Sequence, residues 1–340
     1  MSRPPARPHR VLVIGCGNIA GGFDAARDPP SRPMTHAGAF SRHGGFALAA
    51  CVEPDAAARA AFMARWAVPS GYASTSEVPP DARFDVIAIC SPTVAHVADL
   101  RFAIARRPAL IFCEKPIAPD LADAGACVDD CAAAGIVLAV NHLRRWAPDV
   151  VDIRDGLNAG RWGRIRAVSG TYNKGVLNNG SHLVDLIHYL SGESLELDAA
   201  GRAVHDFWDR DPTVPALLHT SSGVPVQLAT GDARDFTLFE LRVTCERGTM
   251  AMLDGGARWV FRDVVPSRRF PGYSELGAPR EEPGRIDEAM TRAIAQIHRA
   301  LETGHPLAST GASAMAAQRL CAAIESAALA PAAPLSRVEA

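Results

Sequence analysis

A lysine follows a strand-like segment at Glu114-Lys115-Pro116. The apolar run Ala109–Cys113 that precedes it predicts a buried strand. Proline fixes its own φ and favours an extended backbone at Lys115, so the ammonium group is held at the carboxyl end of that strand. Open parallel sheets bind their ligands at this edge. The residues therefore predict a binding site around Lys115. The alternative is a solvated Glu-Lys pair at a turn.

A glycine-rich turn lies near the start of the chain, at residues 15–20 (GCGNIA). It follows the continuous apolar run Val11–Ile14, which predicts a strand buried on both faces. Gly15 permits the tight turn, Gly17 lets backbone N–H groups approach a pyrophosphate, and Ala20 allows close packing of helix on strand. This pattern, directly after a strand, is typical of a dinucleotide-binding turn.

An acid ends the next predicted strand, Phe46–Val52. Glu53 at this place is suited to bind the adenosine ribose hydroxyls and disfavours a 2′-phosphate, which predicts NAD rather than NADP. It falls later than the usual interval of about 20 residues after the turn. The proline-rich segment Gly21–Pro33 accounts for the delay as an insertion before the helix predicted over Thr35–His43. Alternatively, Glu53 and Asp55 cap the next helix.

Two further predicted strands of the first half, Asp85–Cys90 and Ile136–Val140, are also followed by polar residues. Strands and helices alternate up to residue 147, which predicts an α/β doubly wound parallel sheet. We expect Ser91 and Thr93 to cap the helix Val94–Arg106. His96, in the first turn of that helix, faces the cleft or packs internally.

The pattern changes beyond Pro148. Short strands separated by turn residues predict an antiparallel sheet in a second domain, residues 148–340. A helix over Asn178–Leu190 begins with polar residues, and the tail from residue 331 is predicted to be flexible. The predicted strands are Arg164–Tyr172, Ala199–Asp206, Val214–Ser221, Val224–Thr230, Thr237–Cys245, Thr249–Leu253 and Ala257–Phe261; the closing helices are Arg285–Thr303 and Ala312–Leu329.

Composition excludes several classes of protein. With 340 residues, a formal net charge of -2 and a pI near 6.6, the chain has no electrostatic basis for binding nucleic acid or an anionic membrane. The apolar run after residue 10 is too short for a signal peptide, and no later run predicts a membrane span. Cys127 and Cys131 share a helix face without a second ligand pair, so no metal site is predicted. We expect reduced thiols and a cytoplasmic address.

Taken together, these motifs resemble those of the Gfo/Idh/MocA family of NAD(P)-dependent oxidoreductases, over nearly the whole chain. The resemblance implies a Rossmann dinucleotide-binding domain, residues 1–147, and an α/β substrate domain with a large, mostly antiparallel open sheet. The open face of that sheet would form a homodimer or homotetramer. The matching motifs are residues 15–20, Ser91-Pro92-Thr93 with His96, Glu114-Lys115-Pro116, Asn141 with Arg144-Arg145, and residues 180–185 (GSHLVD).

The resemblance also implies roles for individual residues. Lys115 would hydrogen-bond the reacting oxygen, and His182 would act as general acid and base. Asn178 stands where many members of the family have aspartate; it can orient a substrate hydroxyl but cannot accept a proton. His182 would then rely on Asp185, or Lys115 would transfer the proton itself. The expected cofactor-binding residues are Gly15, Gly17, Asn18, Ile19, Glu53, Ser91, Pro92, Thr93, His96, Glu114 and Asn141; the expected substrate-binding residues are Arg144, Arg145, Tyr172, Lys174 and Asp185.

The implied reaction is hydride transfer between nicotinamide and a CH–OH or C=O group of a sugar, cyclitol or sugar-nucleotide derivative. Arg144, Arg145 and Lys174 favour a substrate with an anionic group, unless they are solvated or in ion pairs. Three alternatives stay open: a glycoside hydrolase that oxidises its substrate transiently with bound NAD, a non-catalytic NAD- and sugar-binding sensor, and a reductase of C=N bonds. Lys115 and His182 argue against the sensor, which needs no proton-transfer groups.

Overall fold

The computed structural model describes residues 7–27 and 32–330. These residues form two compact units. Unit 1 contains the described residues up to Asp155 together with Gly284–Ala316, and unit 2 contains Gly156–Pro283 with the described residues from Ala317 onward. The sequence assigns everything after residue 147 to one second domain, whereas in the structure the segment Gly284–Ala316 returns to unit 1.

Unit 1 is built on a six-stranded parallel sheet with the strand order β3-β2-β1-β4-β5-β6. This is the doubly wound order in which the crossover direction reverses beside β1, and ligands bind at that reversal. The inner strands are continuous apolar runs because both of their faces are covered; Leu12, Ile87 and Ile111 are fully buried. The strands are β1 His9–Ile14, β2 Phe46–Val52, β3 Gly71–Tyr72, β4 Val86–Ile89, β5 Leu110–Cys113 and β6 Val137–Val140.

The first helix of unit 1 is interrupted by the predicted insertion. In α1, His36–Phe40, the His36 N–H donates to the Ile19 carbonyl at 3.2 Å, and the Ala37 N–H donates to the Ala20 carbonyl at 2.8 Å. These bonds join the start of α1 directly to the end of the glycine turn. Of the predicted insertion, residues 28–31 lie outside the described residues.

Asp24 links the chain on the two sides of residues 28–31. Its buried carboxylate accepts hydrogen bonds from the Met34 and Thr35 N–H groups at 2.8 and 2.9 Å and from the Thr35 hydroxyl at 2.7 Å. A short polar side chain in a loop commonly satisfies backbone donors in this way. Asp24 therefore ties the residues after the glycine turn to those immediately before α1.

The remaining helices lie close to their predicted positions, with one difference at α3. That helix begins at His96 after a 3-10 turn over Thr93–Ala95, and its N-cap residue is Ala95. The expectation that Ser91 and Thr93 cap a helix from residue 94 is wrong, since the Ser91 hydroxyl donates to the Asp99 carboxylate at 2.6 Å. The helices are α2 Ala56–Trp66, α3 His96–Arg106, α4 Leu121–Ala133, α5 Pro148–Asn158, α6 Ser181–Ser191, α7 Ala289–Thr303 and α8 Gly311–Leu329.

Unit 2 contains a nine-stranded sheet and a separate two-stranded ribbon, β10-β9. In the large sheet β12 pairs with β7 in parallel and the other pairings are antiparallel, which confirms a mostly antiparallel second sheet. The strand predicted over Ala199–Asp206 is divided between β8 and β9. The strands are β7 Ile165–Tyr172, β8 Leu195–Ala200, β9 Val204–Trp208, β10 Asp211–Thr213, β11 Ala216–Thr220, β12 Pro225–Thr230, β13 Phe239–Cys245, β14 Gly248–Leu253, β15 Arg258–Pro266, β16 Ser274–Leu276 and β17 Arg280–Pro283.

Helix α6 packs against the middle of the unit 2 sheet. Gly170 on β7 makes room for it, because a Cβ atom there would lie 2.6 Å from the Leu183 side chain. A π-helical turn, Gly175–Gly180, leads into α6. The predicted helix from Asn178 therefore begins as a π turn and becomes α-helical at Ser181.

The tail from residue 331, predicted to be flexible, lies outside the described residues. Within the described part of the chain, none of the helices combines the length and the apolar character that crossing a membrane requires.

Candidate active site

Neighbouring strands of unit 1 end in one row. Ile14, Ile89, Cys113 and Val140 are paired across β1, β4, β5 and β6, and Val52 on β2 pairs with Ile14 from the other side. The N–H group of the residue after each of these donates a hydrogen bond of 2.7 to 3.0 Å to a carbonyl of the adjacent strand; for Glu53 the acceptor is Tyr72 on β3. The row that results consists of Glu53, Gly15, Cys90, Glu114 and Asn141.

The two glycines of the turn have different reasons to be glycine. Gly15 has φ of +86°, and a Cβ atom there would lie 2.6 Å from the Ser91 backbone nitrogen, so the fold itself requires glycine. Gly17 is exposed, its φ lies outside the left-handed region, and no atom of the described residues lies within 4 Å of the place of a Cβ. The fold does not require glycine at position 17, whereas a pyrophosphate approaching the backbone would. The turn therefore fits a bound dinucleotide.

This difference gives a prediction. We expect Gly17→Ala to leave the melting temperature within about 2 °C of wild type, because the methyl group enters open space. Affinity for NADH should fall at least about tenfold, since the methyl group occupies the space that a phosphate needs. Gly15→Ala is the contrasting variant and should lose both stability and affinity. Differential scanning fluorimetry and NADH fluorescence titration measure the two properties. An unchanged affinity in Gly17→Ala would contradict a dinucleotide at this turn.

Glu53 faces the glycine turn. Its Oε2 accepts a hydrogen bond from the Cys16 N–H at 2.9 Å, and its Oε1 accepts one from the Asp55 N–H at 3.1 Å. The alternative role, capping α2, belongs to Asp55, whose carboxylate accepts from the Ala58 N–H at 2.7 Å. The carboxylate of Glu53 is thus placed beside the turn at the end of β2, as a ribose-binding acid requires.

Glu114 is the centre of a buried polar cluster. Its Oε1 accepts a hydrogen bond from His36 Nε2 at 2.8 Å and one from Asn141 Nδ2 at 2.6 Å, and His36 is fully buried against Phe112. Burial acts to raise the pKa of Glu114, but the hydrogen bonds from His36 and Asn141, with the charges of His36 and Lys115, outweigh it and lower the pKa. Glu114 is therefore an ionised anchor directly before Lys115.

The cluster changes how two expected cofactor residues are understood. The Glu114 carboxylate is engaged inside the protein, so we assign it to positioning Lys115 and not to direct contact with a cofactor. Asn141 differs: its Nδ2 donates to Glu114, while its buried Oδ1 has no hydrogen-bond partner within the described chain. A buried unsatisfied acceptor is costly, which favours a ligand donor at this place. His36, the third member, was not predicted, because 78 residues separate it from Glu114 and no spacing rule connects the two.

His96 connects the loop after β4 to the residue after Lys115. Its Nε2 lies 2.9 Å from the Ser91 carbonyl oxygen and its Nδ1 lies 2.8 Å from the Pro116 carbonyl oxygen. The ring is 1% exposed. Of the two alternatives in the sequence, internal packing is the one that fits, and we assign His96 to positioning these loops. Pro92 is exposed and Thr93 half-exposed beside them.

The two arginines after β6 have different surroundings. Arg145 is buried, and its Nη1 donates to the Ala308 carbonyl oxygen at 3.0 Å, which ties the returning segment to unit 1. Burial lowers the pKa of Arg144 to about 10. The expectation that Arg145 contacts substrate does not fit its burial and its structural bond, and only Arg144 is kept as a candidate.

In unit 2, the expected catalytic residues lie around the π turn. The Asn178 N–H donates to the Asp211 carboxylate at 2.7 Å, and its side-chain Nδ2 donates to the Lys174 carbonyl oxygen at 3.1 Å. His182 follows in the first turn of α6 and is half-buried, while Asp185 is buried one turn further on. π turns within helices are frequent at functional sites.

Two acids that were not predicted hold this segment. Asp206 accepts from the Lys174 N–H at 3.2 Å, and Asp211 accepts from the Leu177 and Asn178 N–H groups at 2.8 and 2.7 Å. Both come from the β9-β10 ribbon. The ribbon therefore fixes the backbone in front of His182. The β9-β10 ribbon was not predicted from the sequence, so nothing identified these two acids as part of the site.

Tyr172 and Lys174 occupy contrasting places. The Tyr172 ring is fully buried, and its hydroxyl donates to the Val214 carbonyl at 2.7 Å and accepts from the Val214 N–H at 3.2 Å. Burial raises the pKa of this hydroxyl. The expected substrate contact of Tyr172 does not fit this arrangement. Lys174 is half-buried, in a left-handed conformation, with its Nζ 4.8 Å above the Phe207 ring.

Comparison with known proteins extends these observations. Residues 9–142 match a family model described as "Oxidoreductase family, NAD-binding Rossmann fold". An inositol 2-dehydrogenase from Rhizobium meliloti is 28% identical over 260 residues, which cover 70% of this chain and 77% of that protein. A D-apiose dehydrogenase from Paraburkholderia graminis is 28% identical over 159 residues, 42% of each chain.

Solved structures share the fold over nearly the full length. A putative myo-inositol dehydrogenase from Sinorhizobium meliloti has a TM-score of 0.74 at 22% identity and covers 94% of this chain and 97% of its own. The WlbA dehydrogenase from Bordetella pertussis, solved with NADH and UDP-GlcNAcA, has a TM-score of 0.74 at 19% identity and covers 95% and 97%. The predicted fold class is confirmed. The match over residues 9–142 supports the resemblance of this part of the chain to the Gfo/Idh/MocA family of oxidoreductases.

Proposed function

We propose that this protein is an NAD(P)-dependent oxidoreductase that transfers a hydride between nicotinamide and a CH–OH or C=O group of a sugar, cyclitol or sugar-nucleotide derivative. The observation that carries the proposal is the row of strand ends in unit 1. Along this one sheet edge lie Glu53, which is suited to bind a ribose, a glycine turn open at Gly17, and Lys115. The inositol and apiose dehydrogenases among the relatives support the substrate class.

The cofactor would be held by residues of this edge. The backbone of residues 15–19 would bind the pyrophosphate, Glu53 the adenosine ribose, and Asn141 Oδ1 a donor of the nicotinamide end. Neighbouring strands of a sheet lie about 4.8 Å apart. Because β4 lies between β1 and β5, the strand that ends before Lys115 is about 10 Å from the strand that ends at the glycine turn. A bound nicotinamide accepts the hydride in oxidation and supplies it in reduction.

The protein would manage the charge and the proton. Lys115 would donate a hydrogen bond to the reacting oxygen and stabilise the alkoxide-like charge that develops as the C–H bond breaks or forms. His182 would take the hydroxyl proton in oxidation and return it in reduction, since a histidine titrates near neutral pH. Asn178 would orient a substrate hydroxyl, and Asp185 would support the His182 ring.

The choice of lysine at position 115 supports this role. The chain contains 35 lysines and arginines, and only Lys115 and Lys174 among them are lysines. A compact ammonium group can exchange a proton when its surroundings lower its pKa, whereas an arginine stays protonated. A chain that uses arginine at almost every other cationic position keeps lysine at the sheet edge where the reaction would occur.

The anionic substrate preference is proposed from Arg144 and Lys174, since Arg145 is assigned to the fold. A guanidinium and an ammonium group together suit a carboxylate or a phosphate. The open face of the unit 2 sheet would form the interface of a homodimer or homotetramer. Leu217 on β11, 53% exposed, is an apolar side chain of that sheet available for such a contact.

The preference for NAD gives a second prediction. We expect Glu53→Gln to shift the ratio of NAD to NADP affinity toward NADP by at least about tenfold, because the charge that repels a 2′-phosphate is removed. The amide oxygen can still accept from Cys16, so the turn should keep its shape. Dissociation constants for NADH and NADPH, measured by fluorescence, check this. An unchanged ratio would mean that Glu53 only supports the turn.

A redox screen tests the function itself. Purified protein is incubated with NAD or NADP and a panel of sugars, sugar acids, cyclitols and sugar nucleotides, and reduced cofactor is recorded at 340 nm. Net NADH formation on one substrate class is expected. If the cofactor stays bound and glycosides are cleaved without net NADH, the NAD-dependent hydrolase replaces the dehydrogenase. If no substrate reacts in either direction, the proposal fails.

A further inference from the structure

Three potential metal ligands converge on unit 1 outside the proposed catalytic edge. His9 begins β1, and His298 and Glu302 lie one turn apart on α7. His9 Nε2 lies 3.0 Å from Glu302 Oε1, and one ligand atom from each of the three residues lies within 4.8 Å of the other two. We propose that His9, His298 and Glu302 form a binding site for a divalent transition metal of the zinc type.

The imidazole rings are held in place by packing. The Phe46 ring packs against both, with centroid distances of 5.7 Å to His9 and 5.6 Å to His298, and the two imidazole centroids lie 5.7 Å from each other. Gly45 makes room for the second ring, because a Cβ atom there would lie 2.2 Å from His298 Cδ2. Ligands that are fixed before the metal arrives lose little conformational entropy on binding, which favours affinity.

The donor set selects the class of metal. Two imidazole nitrogens and one carboxylate oxygen, with a fourth position open to water, match a common zinc coordination. Magnesium and calcium prefer sets made only of oxygen ligands. The cluster is half-buried to exposed, so a hydrated ion can reach it from solvent.

A third histidine supports the site without joining it. His43 packs on the His298 ring with a centroid distance of 4.7 Å, and its Nδ1 accepts a hydrogen bond from the Gly45 N–H at 3.1 Å. A neutral His43 ring therefore carries its proton on Nε2 and offers no lone pair there.

A bound metal would join distant parts of the chain. His9 stands at the start of the first strand, whereas His298 and Glu302 belong to the segment Gly284–Ala316, which returns to unit 1. The metal would therefore connect α7 to the first residue of β1. Because only the folded chain brings the three ligands together, binding should raise the melting temperature.

Titration with Zn²⁺ tests the proposal on tag-free, EDTA-treated full-length protein. By isothermal titration calorimetry we expect one equivalent to bind, and Co²⁺ should give the visible absorption of a four-coordinate ion. Losing an outer-shell partner already lowers metal affinity by about 10- to 100-fold, so His298→Ala should weaken Zn²⁺ binding at least that much. Glu302→Gln, at an exposed position, should weaken it without risk to folding. His305→Ala changes an exposed histidine outside the cluster and should have no effect.

Each outcome decides the matter. One-site binding that is lost in both cluster variants and kept in His305→Ala supports the site, provided that the metal-free variants melt like wild type. Absence of saturable Zn²⁺ binding up to about 100 μM, far weaker than known structural zinc sites, overturns it. Binding that persists in Glu302→Gln and His298→Ala places the metal elsewhere and overturns it as well. Because these readouts do not involve turnover, they are independent of the proposed oxidoreductase activity.

Discussion

Replacing Lys115 by alanine is expected to lower turnover by about 10³-fold, while NADH binds with nearly its wild-type affinity. The removal of one donor to a developing oxyanion commonly costs 10²- to 10³-fold, and the loss is expected at the upper end of that range because this donor carries a charge. The side chain lies one residue beyond the row of strand ends, so its loss leaves the glycine turn and Glu53 unchanged. Steady-state rates and an NADH titration on the same preparation separate the two effects.

The other lysine of the chain provides a matched control. Lys115→Met and Lys174→Met remove the same charge and keep similar volume. Only the variant at position 115 should lose turnover, whereas the variant at position 174 should raise KM for an anionic substrate. Lys115→Arg keeps the charge, but its guanidinium is larger and does not give up its proton. Near wild-type turnover in Lys115→Met would remove the central residue from the proposed mechanism.

Replacing His36 by alanine is expected to have the largest effect on stability. It removes one of the two side-chain hydrogen bonds to the buried Glu114 carboxylate and leaves a cavity beside Phe112. Breaking a buried pair by removing one partner costs about 3–5 kcal/mol, and each kcal/mol lowers the melting temperature of a domain of this size by about 2–4 °C. Thermal unfolding followed by circular dichroism should therefore show a decrease of about 6–20 °C. A decrease below about 2 °C would mean that the cluster is not an anchor.

The pH dependence provides the control for this assignment. The pKa of Glu114 is lowered in the folded protein, so its ionised form stabilises the fold above the ordinary carboxyl pKa near 4.5. That stabilisation is lost as the pH falls toward the lowered value. The difference in melting temperature between wild type and Glu114→Gln should thus be constant above about pH 5.5 and shrink below about pH 4.5. A difference that grows on acidification would contradict an ionised Glu114.

The fold of unit 1 could be predicted because its signals are local. Continuous apolar runs gave β1, β4 and β5 within two residues of their observed bounds, and the proline-rich segment after residue 21 marked the insertion. The role of Asp24 could not be predicted, since its partners Met34 and Thr35 lie beyond the inserted residues. In unit 2 the sequence did not predict β10 and β17, because these strands are short and mostly polar.

The polar clusters depend on contacts between residues that are distant in sequence. His36 meets Glu114 across 78 residues, and His9 meets Glu302 across 293. No spacing rule connects such pairs. The sequence could therefore identify Glu114 and Asn141 as candidates but not His36, which binds Glu114. Arg145 and Tyr172 illustrate the opposite case. Their types suit substrate binding, whereas their burial favours a role in the fold.

The most direct test of the central claim is a binding titration of the wild-type protein with NAD, NADH, NADP and NADPH. The sheet edge, with its open Gly17 and the Glu53 carboxylate, predicts saturable binding of NAD and NADH. This binding should be tighter than that of NADP and NADPH. Absence of binding of any of the four would contradict the account. In that case the row of strand ends would have another ligand, and the proposed role of Lys115 would lose its basis.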